Sequence, residues 1–258
     1  MTTRAQLAEG FSALGLSEGA SVLVHSSLKS LGWVEGGAAA VVDALLDATG
    51  PTGTVMVPNL PFRGSLTQYL LSKPTFDVRT TPSLMGAITE ALRLHRDARR
   101  SLHSSHSVAA VGRLRDEMTR SHELDDVTCG PHSAYFRNAH CNAGRILMIG
   151  TTLRCMTTFH SVEEMNGLPY LFSDKVYASR VIDYAGKTLE LCTRGYAEDR
   201  PVPRDFPAAE PLLLREGLMR IGTVAGAECR LMDARGTYDL VERTVRKDPY
   251  FLLAERPA

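Results

Sequence analysis

The stretch Ser21-Val-Leu-Val-His25 is a short apolar run that predicts a buried β-strand. A loop rich in serine and glycine follows it, and residues 38–48 then predict a helix that ends at Gly50-Pro51. A second buried strand is predicted at Thr54-Val-Met-Val57. Strand, helix and strand in direct succession favour parallel pairing of the two strands, and therefore an α/β fold.

The rest of the chain continues this mixed pattern. Residues 59–81 are rich in proline, glycine, serine and threonine and predict a long loop near the active face. Residues 174–194 and 220–233 alternate as antiparallel strands do. We therefore expect one α/β domain over residues 1–258, with a mixed sheet, βαβ units in the N-terminal part and a more antiparallel part at 174–258 as a candidate packed subdomain. Further helices are predicted over 5–14, 83–94, 114–120, 157–166, 208–215 and 238–247, and strands over 107–111 and 145–149.

Composition and charge exclude several classes of protein. The 258 residues are 44% hydrophobic and 22% charged, which is globular usage. Twenty-nine basic residues balance 29 acidic ones, so no basic excess indicates a nucleic-acid partner. No apolar run approaches the ~20 residues that cross a bilayer, and the N-terminus lacks the apolar core of a signal peptide. We expect a cytoplasmic protein with no membrane partner, as a monomer or a homodimer.

The five cysteines are scattered and form no Cys-x-x-Cys pair. This spacing argues against a disulfide scaffold and against a structural zinc site, and it suits a reducing compartment. We interpret all of them as buried or incidental thiols: Cys129, Cys141, Cys155, Cys192 and Cys229.

A loop of small and polar residues joins the first predicted strand to the helix. Residues 26–37 read Ser-Ser-Leu-Lys-Ser-Leu-Gly-Trp-Val-Glu-Gly-Gly. Backbone N–H groups, hydroxyls and the positive end of a helix suit an anionic phosphate, although a capped turn needs the same residues. The loop matches neither the dinucleotide-binding pattern nor the P-loop, so neither site is predicted.

Histidines mark two further segments. His103 and His106 lie just before a predicted strand, where they suit metal ligation, simple hydrogen bonding or the wall of a ligand tunnel. In the helix predicted over 157–166, His160 lies one turn from Glu163 and Glu164. A carboxylate that accepts the imidazole N–H fixes the tautomer and raises the basicity, as a general base requires. The alternative is an incidental pair on a surface helix.

Asp77 lies in a loop that leads into the next predicted helix. A carboxylate at this position suits either of two roles. It binds a cationic group, or it caps and turns the chain. The residues around it do not separate the two roles.

Taken in order, these segments resemble the aminoglycoside 3-N-acetyltransferase family. The matching motifs are His25-Ser-Ser-Leu, Leu-Gly-Trp-Val with Gly-Gly, Phe-Asp with Arg-Thr-Thr-Pro-Ser and Met-Gly, His-Ser-Val-Ala-Ala, Cys-Gly-Pro, and Thr-Thr-Phe-His with Glu. They span residues 5–170. The resemblance implies an α/β fold unlike that of the GNAT acetyltransferases, acetyl-CoA as donor, no metal, a small-molecule amine as acceptor, and a connection to antibiotic resistance.

The resemblance also implies roles for individual residues. His160, braced by Glu163, would be the catalytic base, and Thr157 or Thr158 would hold the thioester carbonyl or its oxyanion. The donor's pyrophosphate and pantetheine arm would contact two segments, whose residues are Ser26, Ser27, Leu28, Val34, Gly36, Gly37, His106, Ser107 and Val108. Facing the acceptor we expect Asp77, Arg154 and Glu164.

The sequence departs from the family pattern at Arg154, where aminoglycoside-modifying members usually carry an aspartate. A guanidinium 4 Å from an ammonium group repels it by about 1–4 kcal/mol, depending on the local dielectric. We therefore hold two hypotheses for the acceptor. It is an aminoglycoside or a related amino sugar, or it is a less cationic or even anionic amine that Arg154 binds.

Three alternatives remain open at the level of sequence. A metal-dependent hydrolase would use His103, His106, His160 and Glu164 as ligands, and a non-catalytic protein would bind CoA without turnover. A covalent route through Cys129 ranks below direct transfer, since no base lies beside it in sequence. Residues 59–75 and 196–210 are predicted to shape the acceptor pocket, with Tyr170, Arg200 and Arg204 as candidates to reach it.

Overall fold

The computed structural model describes residues 1–197 and 203–256. Its strands are β1 Ser21–Ser26, β2 Thr54–Pro58, β3 Thr75–Asp77, β4 Arg99–Arg100, β5 Val108–Gly112, β6 Gly144–Ile149, β7 Phe172–Ile182, β8 Thr188–Tyr196, β9 Met219–Val224 and β10 Ala227–Asp233. Its α-helices are α1 Arg4–Leu14, α2 Gly37–Thr49, α3 Leu66–Leu71, α4 Ala87–Arg93, α5 Arg115–Thr119, α6 Ala134–Ala139, α7 Thr157–Met165, α8 Glu210–Arg215 and α9 Ala234–Lys247.

Seven strands form the main sheet in the order β4-β5-β2-β1-β6-β10-β9. The central strand β1 is parallel to β2 on one side and to β6 on the other, with Leu23 opposite Met56 and Ile146. The parallel pairing predicted for β1 and β2 is confirmed. Because these three strands are parallel, their carboxyl ends lie at one edge of the sheet. The outer strands β5 and β10 run antiparallel to their inner neighbours.

A smaller sheet has the order β3-β7-β8. The antiparallel pairing predicted within residues 174–194 is confirmed, since β7 and β8 form a hairpin. Asp183 holds its turn by accepting hydrogen bonds from the N–H groups of Ala185 and Lys187, each at 2.9 Å. The second predicted pair, β9 and β10, joins the main sheet through β6. Residues 174–258 thus contribute strands to both sheets.

The prediction of a patternless loop over residues 59–81 is wrong. The segment contains α3, capped by the Ser65 hydroxyl that accepts from the Gln68 N–H at 3.1 Å, and β3, which pairs in parallel with β7. Both elements are too short for a periodic signal, and β3 forms only because β7 lies beside it. The helix predicted from residue 83 starts later, at Ala87, because the N–H of Ser83 donates to the carboxylate of Glu90 in a turn.

Apolar side chains pack on both faces of the main sheet. Alternate residues of β6 point to opposite faces, so Leu147 and Ile149 join one core cluster while Ile146 and Met148 join the other. Helices α1, α2 and α4 cover the first face, and α7 and α9 cover the second. Each fully buried aliphatic or aromatic side chain contributes roughly 1.5–3 kcal/mol to folding. Within the two described ranges, no helix is both long enough and apolar enough to cross a bilayer.

Candidate active site

A cavity of about 460 Å³ lies beyond the carboxyl ends of the central parallel strands. His25 and Ser26 end β1, Pro58 ends β2, and Thr151 follows β6, and all four line this central cavity. The chain leaves β1 toward β2 on one side of the sheet and returns through β6 on the other. In open α/β sheets, ligands bind at such a switch of strand order. The apolar part of the wall is formed by Pro58, Leu60, Phe62, Leu66, Met85 and Phe206.

His160 lies on α7 and lines the central cavity, with a quarter of its side chain exposed. Its Nδ1 lies 2.6 Å from Oε2 of Glu163, one helical turn away. Because the carboxylate accepts, Nδ1 donates, and the neutral ring keeps its lone pair on Nε2. This arrangement is the one that a general base requires.

Glu163 has no exposed side-chain surface and is held by three groups. Besides His160, the hydroxyl of Tyr170 donates to Oε1 at 2.8 Å, and Nε of Arg204 donates to the same oxygen at 3.1 Å. Burial raises the pKa of Glu163, but the hydrogen bond and charge of His160, the charge of Arg204 and the Tyr170 hydroxyl outweigh it. The pKa therefore lies below its ordinary value, and the carboxylate is ionised at neutral pH.

Glu164, predicted to face the acceptor, is turned into the protein. Its Oε1 accepts from the N–H and hydroxyl of Thr128 and from the hydroxyl of Tyr196, and its Oε2 accepts from the N–H of Cys129 at 2.6 Å. Burial raises its pKa above the ordinary value. Glu164 thus fixes Tyr196, whose ring lines the central cavity 5.9 Å from that of His160.

Burial keeps four histidines at or near the cavity wall neutral at physiological pH. Burial lowers the pKa of His25 and of His103 to about 4, and it lowers those of His106 and His122 well below the ordinary value. His25 and His106 line the cavity. The buried Nε2 of His25 has no hydrogen-bond partner among the described residues, so a bound ligand is the group that would satisfy it.

The remaining residues of the segment around His106 are engaged in local hydrogen bonds. The hydroxyl of Ser107 donates to the carbonyl of Ser101 at 2.8 Å, and the N–H of Val108 donates to the Ser101 hydroxyl at 2.9 Å. Nδ1 of His103 accepts the N–H of His106 at 3.0 Å. Ser107 and Val108 therefore hold the strand entry that carries His106 into the wall.

Metal ligation was one alternative for these histidines. In the part of the chain that the structure describes, no three His, Cys, Asp or Glu side chains converge as a metal site requires. The ligand set of the hydrolase alternative, His103, His106, His160 and Glu164, is therefore not assembled. Two of its members are committed elsewhere, His160 to Glu163 and Glu164 to Thr128 and Tyr196.

The serine- and glycine-rich loop lies beside the cavity at the end of β1. Ser26 lines the cavity, and the N–H of Ser27 donates to the carbonyl of Ile149 at 2.9 Å. Leu28–Leu31 form a 3₁₀ turn, and Val34 forms a bridge with Thr2. Gly36 and Gly37, with φ of +77° and +60°, then turn the chain into α2. The donor residues predicted in this loop thus lie between β1 and the start of α2.

Asp77 and Thr158 are among the predicted site residues that do not line the cavity. Asp77 accepts hydrogen bonds from the N–H groups of Arg79 and Thr80 at 2.8 and 3.3 Å. Of the two roles considered for this carboxylate, the contacts correspond to capping of the turn. Thr158 is buried, and its hydroxyl has no partner among the described residues. The neighbouring Thr157 lines the cavity instead.

Several wall residues were not named individually in the sequence analysis, although Tyr196 and Phe206 lie within the predicted pocket segment 196–210. Tyr196 comes from β8, Phe206 begins a 3₁₀ turn, and Cys155 precedes α7. Arg204, a weak candidate in the sequence, both lines the cavity and contacts Glu163, whereas Arg200 lies outside the described residues. Arg154 lines the cavity as predicted. Long-range packing brings these segments together, so the sequence indicated the segment 196–210 but not which of its side chains line the cavity.

Cys129 is fully buried beneath Glu164. Burial and the charge of Glu164 raise its pKa well above the ordinary value. Since the thiolate is the nucleophile, this environment disfavours a covalent role.

Comparison with known proteins agrees with this geometry. The family described as aminoglycoside 3-N-acetyltransferase matches residues 23–246. Aminoglycoside N(3)-acetyltransferase III of Salmonella sp is 32% identical over 91% of this chain and 88% of its own. The crystal structure of aminoglycoside acetyltransferase AAC(3)-Xa is 30% identical over 95% and 93%, with a TM-score of 0.81. AAC-IIIb, solved as a binary complex with CoASH, shares the fold at 23% identity over 99% of both chains, with a TM-score of 0.82. The chain therefore belongs to the aminoglycoside 3-N-acetyltransferase family of enzymes.

Proposed function

We propose that this protein transfers acetyl from acetyl-CoA to an amine of a small, amino-sugar-like acceptor, with His160 as the general base. One observation carries the proposal. At the sheet edge where α/β proteins bind ligands, a cavity holds an imidazole whose Nδ1 is tied to a buried, ionised carboxylate 2.6 Å away. Membership of the family supports acetyl transfer as the reaction.

The chemistry follows from the state of the amine. An amine with a pKa near that of lysine, about 10.4, is mostly protonated at neutral pH, and only its free form attacks. As its nitrogen attacks the thioester carbonyl and the C–N bond forms, Nε2 of His160 accepts the proton. The tetrahedral intermediate then breaks its C–S bond, and the imidazolium returns the proton to the departing thiolate. Ionised Glu163 stabilises the imidazolium throughout.

The start of α7 supplies donors for the oxyanion. The first N–H groups of a helix have no partner within it, and Thr157 and Thr158 occupy the first two positions of α7. Thr157 also lines the cavity. Thr158, whose hydroxyl is buried, would act through its backbone N–H. Fixed donors at a developing negative charge are typically worth about 2.7–4 kcal/mol each in acyl transfer.

The donor is proposed to bind along the loop at the end of β1. Ser26, Ser27 and Leu28 with the Gly36-Gly37 turn would hold its pyrophosphate near the start of α2, a helix of 13 residues. The apolar wall and His106 would line the pantetheine arm. AAC-IIIb, with the same fold, binds CoASH, which supports CoA as the carrier.

Thiol release tests this function. Purified protein is mixed with acetyl-CoA, a chelator and each of a panel of amines, and free CoA is followed with a chromogenic disulfide. We expect amine-dependent release that His160→Ala abolishes, with the acetylated amine confirmed by mass spectrometry. Release that requires added metal, or CoA binding without turnover on any amine, would overturn the proposal.

A further inference from the structure

The ionisable acid and base side chains in the described wall of the central cavity are predominantly basic. Its described wall contains two arginines, Arg154 and Arg204, and three histidines, His25, His106 and His160, whereas none of its described wall residues is an aspartate or glutamate. A pocket that binds a polyamine needs carboxylates to offset the desolvation of each ammonium group.

The two acids nearest in sequence to His160 are committed to the protein. Glu163 is enclosed by His160, Tyr170 and Arg204. Glu164 receives its donors from Thr128, Cys129 and Tyr196. Both side chains are buried, and neither is among the described residues that line the cavity.

Arg154 is available to a ligand. It lies exposed in the 3₁₀ turn Leu153–Cys155 between β6 and α7, and within the described ranges no carboxylate oxygen lies within 4 Å of its guanidinium. Arg204 is positioned more rigidly, with Nε on Glu163 and its guanidinium carbon 5.2 and 5.9 Å from the ring centres of Tyr170 and Tyr196. Both arginines share the cavity with the proposed base.

We propose that the acceptor carries an anionic group, a carboxylate, phosphate or sulfate, in the same small molecule as the amine that is acetylated, and that Arg154 binds it with support from Arg204. This inference rests on the proposed function and names the substrate class of the same site. A guanidinium matches the planar or tetrahedral oxygens of such groups, often with two parallel hydrogen bonds. The same charges repel a polycation, so they select by repulsion as well as by attraction.

Matched acceptors test the inference. Acetylation rates are measured for glucosamine, glucosamine 6-phosphate and kanamycin A at low ionic strength, and binding of each is measured by titration calorimetry. We expect the phosphate to raise kcat/KM and affinity over glucosamine by about fivefold to a hundredfold, the span between exposed and desolvated ion pairs. Kanamycin A is expected to bind most weakly. Equal or tighter binding of kanamycin A, or no gain from the phosphate, overturns the inference.

Substitutions of Arg154 test whether this residue binds the anionic group of the acceptor. Arg154→Gln should raise the KM for glucosamine 6-phosphate and leave that for glucosamine unchanged, and Arg154→Asp should reverse the preference toward kanamycin A. The matched control Arg96→Gln removes a guanidinium that is 90% exposed and outside the cavity, and should change neither value.

The anion that Arg154 binds could instead be a phosphate of the donor, and the same variant distinguishes the two. If Arg154→Gln raises the KM for acetyl-CoA but not for acetyl-pantetheine, which lacks those phosphates, and leaves the acceptor KM unchanged, the inference is wrong. Failure of the inference is distinct from failure of the function. A preference for kanamycin A over glucosamine 6-phosphate, with acetylation that depends on His160, refutes only the inference, whereas the absence of thiol release with every amine refutes the proposed function.

Discussion

Replacing Glu163 by glutamine perturbs the centre of the proposed mechanism with almost no change in shape. The substitution removes a buried negative charge that contacts His160, Tyr170 and Arg204. Glutamine has one acceptor oxygen where glutamate has two, so at least one of the three donors loses its acceptor: His160 in one amide orientation, Tyr170 and Arg204 in the other. Arg204 also keeps its charge without the carboxylate that offsets it.

The expected magnitudes follow from these contacts. Breaking a buried ion pair by removing one partner costs about 3–5 kcal/mol, and the quarter exposure of Arg204 and His160 places the loss toward the lower end of that range. General-base catalysis typically contributes about 10²–10⁴-fold to the rate. Because Glu163 acts through His160, we expect Glu163→Gln to lower kcat by about a hundredfold while the KM for acetyl-CoA changes little.

The pH dependence of stability has a definite sign. The pKa of Glu163 in the folded protein lies below its ordinary value of 4.5. A carboxyl group with a lowered pKa stabilises the fold above its ordinary pKa, and this contribution is lost as the pH falls through the folded pKa. The gap in unfolding free energy between wild type and Glu163→Gln should therefore be full at pH 7 and shrink below pH 4.5.

Urea unfolding at pH 7 and pH 4, together with steady-state thiol release, measures both effects. Glu9→Gln, an exposed carboxylate on α1, is the matched control and should change neither stability nor rate. A Glu163→Gln protein as stable and as active as wild type would refute the assignment of Glu163 as the partner that positions and charges His160.

Three further predictions address other parts of the molecule. Glu164→Gln should lower the unfolding free energy by about 1–3 kcal/mol, since one amide cannot accept from donors on both of its ends, and an unchanged urea midpoint would contradict this. Gly150→Ala should raise the KM for acetyl-CoA, because a Cβ at this position would overlap the side chain of Ser30 in the proposed donor loop, and because φ of Gly150 is +59°. An unchanged KM would show that this loop does not bind the donor. Phe11→Ala should lower the unfolding free energy by about 3–5 kcal/mol in a calorimetric or urea measurement without affecting KM, because Phe11 is fully buried in the core under α1 and does not line the cavity.

The part of the fold set by local periodicity could be predicted from the sequence. Apolar runs located β1, β2 and β6, and the 3.6-residue period located α2 and α7. The short elements α3 and β3 were missed, because a six-residue helix and a three-residue strand depend on their neighbours rather than on their own pattern.

For the candidate site too, contacts within one helix could be predicted from the sequence, whereas contacts between distant segments could not. The spacing of His160 and Glu163 on one helix implied their contact, which the structure contains. Spacing alone did not separate Glu163 from Glu164, since both lie about one turn from His160 and the rotation of α7 against its neighbours decides which one reaches it. Tyr196 and Phe206 lie in the segment 196–210 that was predicted to shape the acceptor pocket, but tertiary packing of β8 and of a later 3₁₀ turn decides that these two side chains line the wall.

The most direct measurement compares two imidazole–carboxylate pairs of the same chain. Nδ1 of His132 donates to Oδ1 of Asp125 at 2.7 Å, much as His160 pairs with Glu163, but only His160 is among the described residues of the cavity wall. Thiol release from acetyl-CoA with a competent amine is measured for His160→Ala and His132→Ala, with CoA affinity measured alongside. A loss of at least about a hundredfold in kcat for His160→Ala alone, at unchanged CoA affinity, is the expected result. Equal rates for the two variants would contradict a role for His160 as the base.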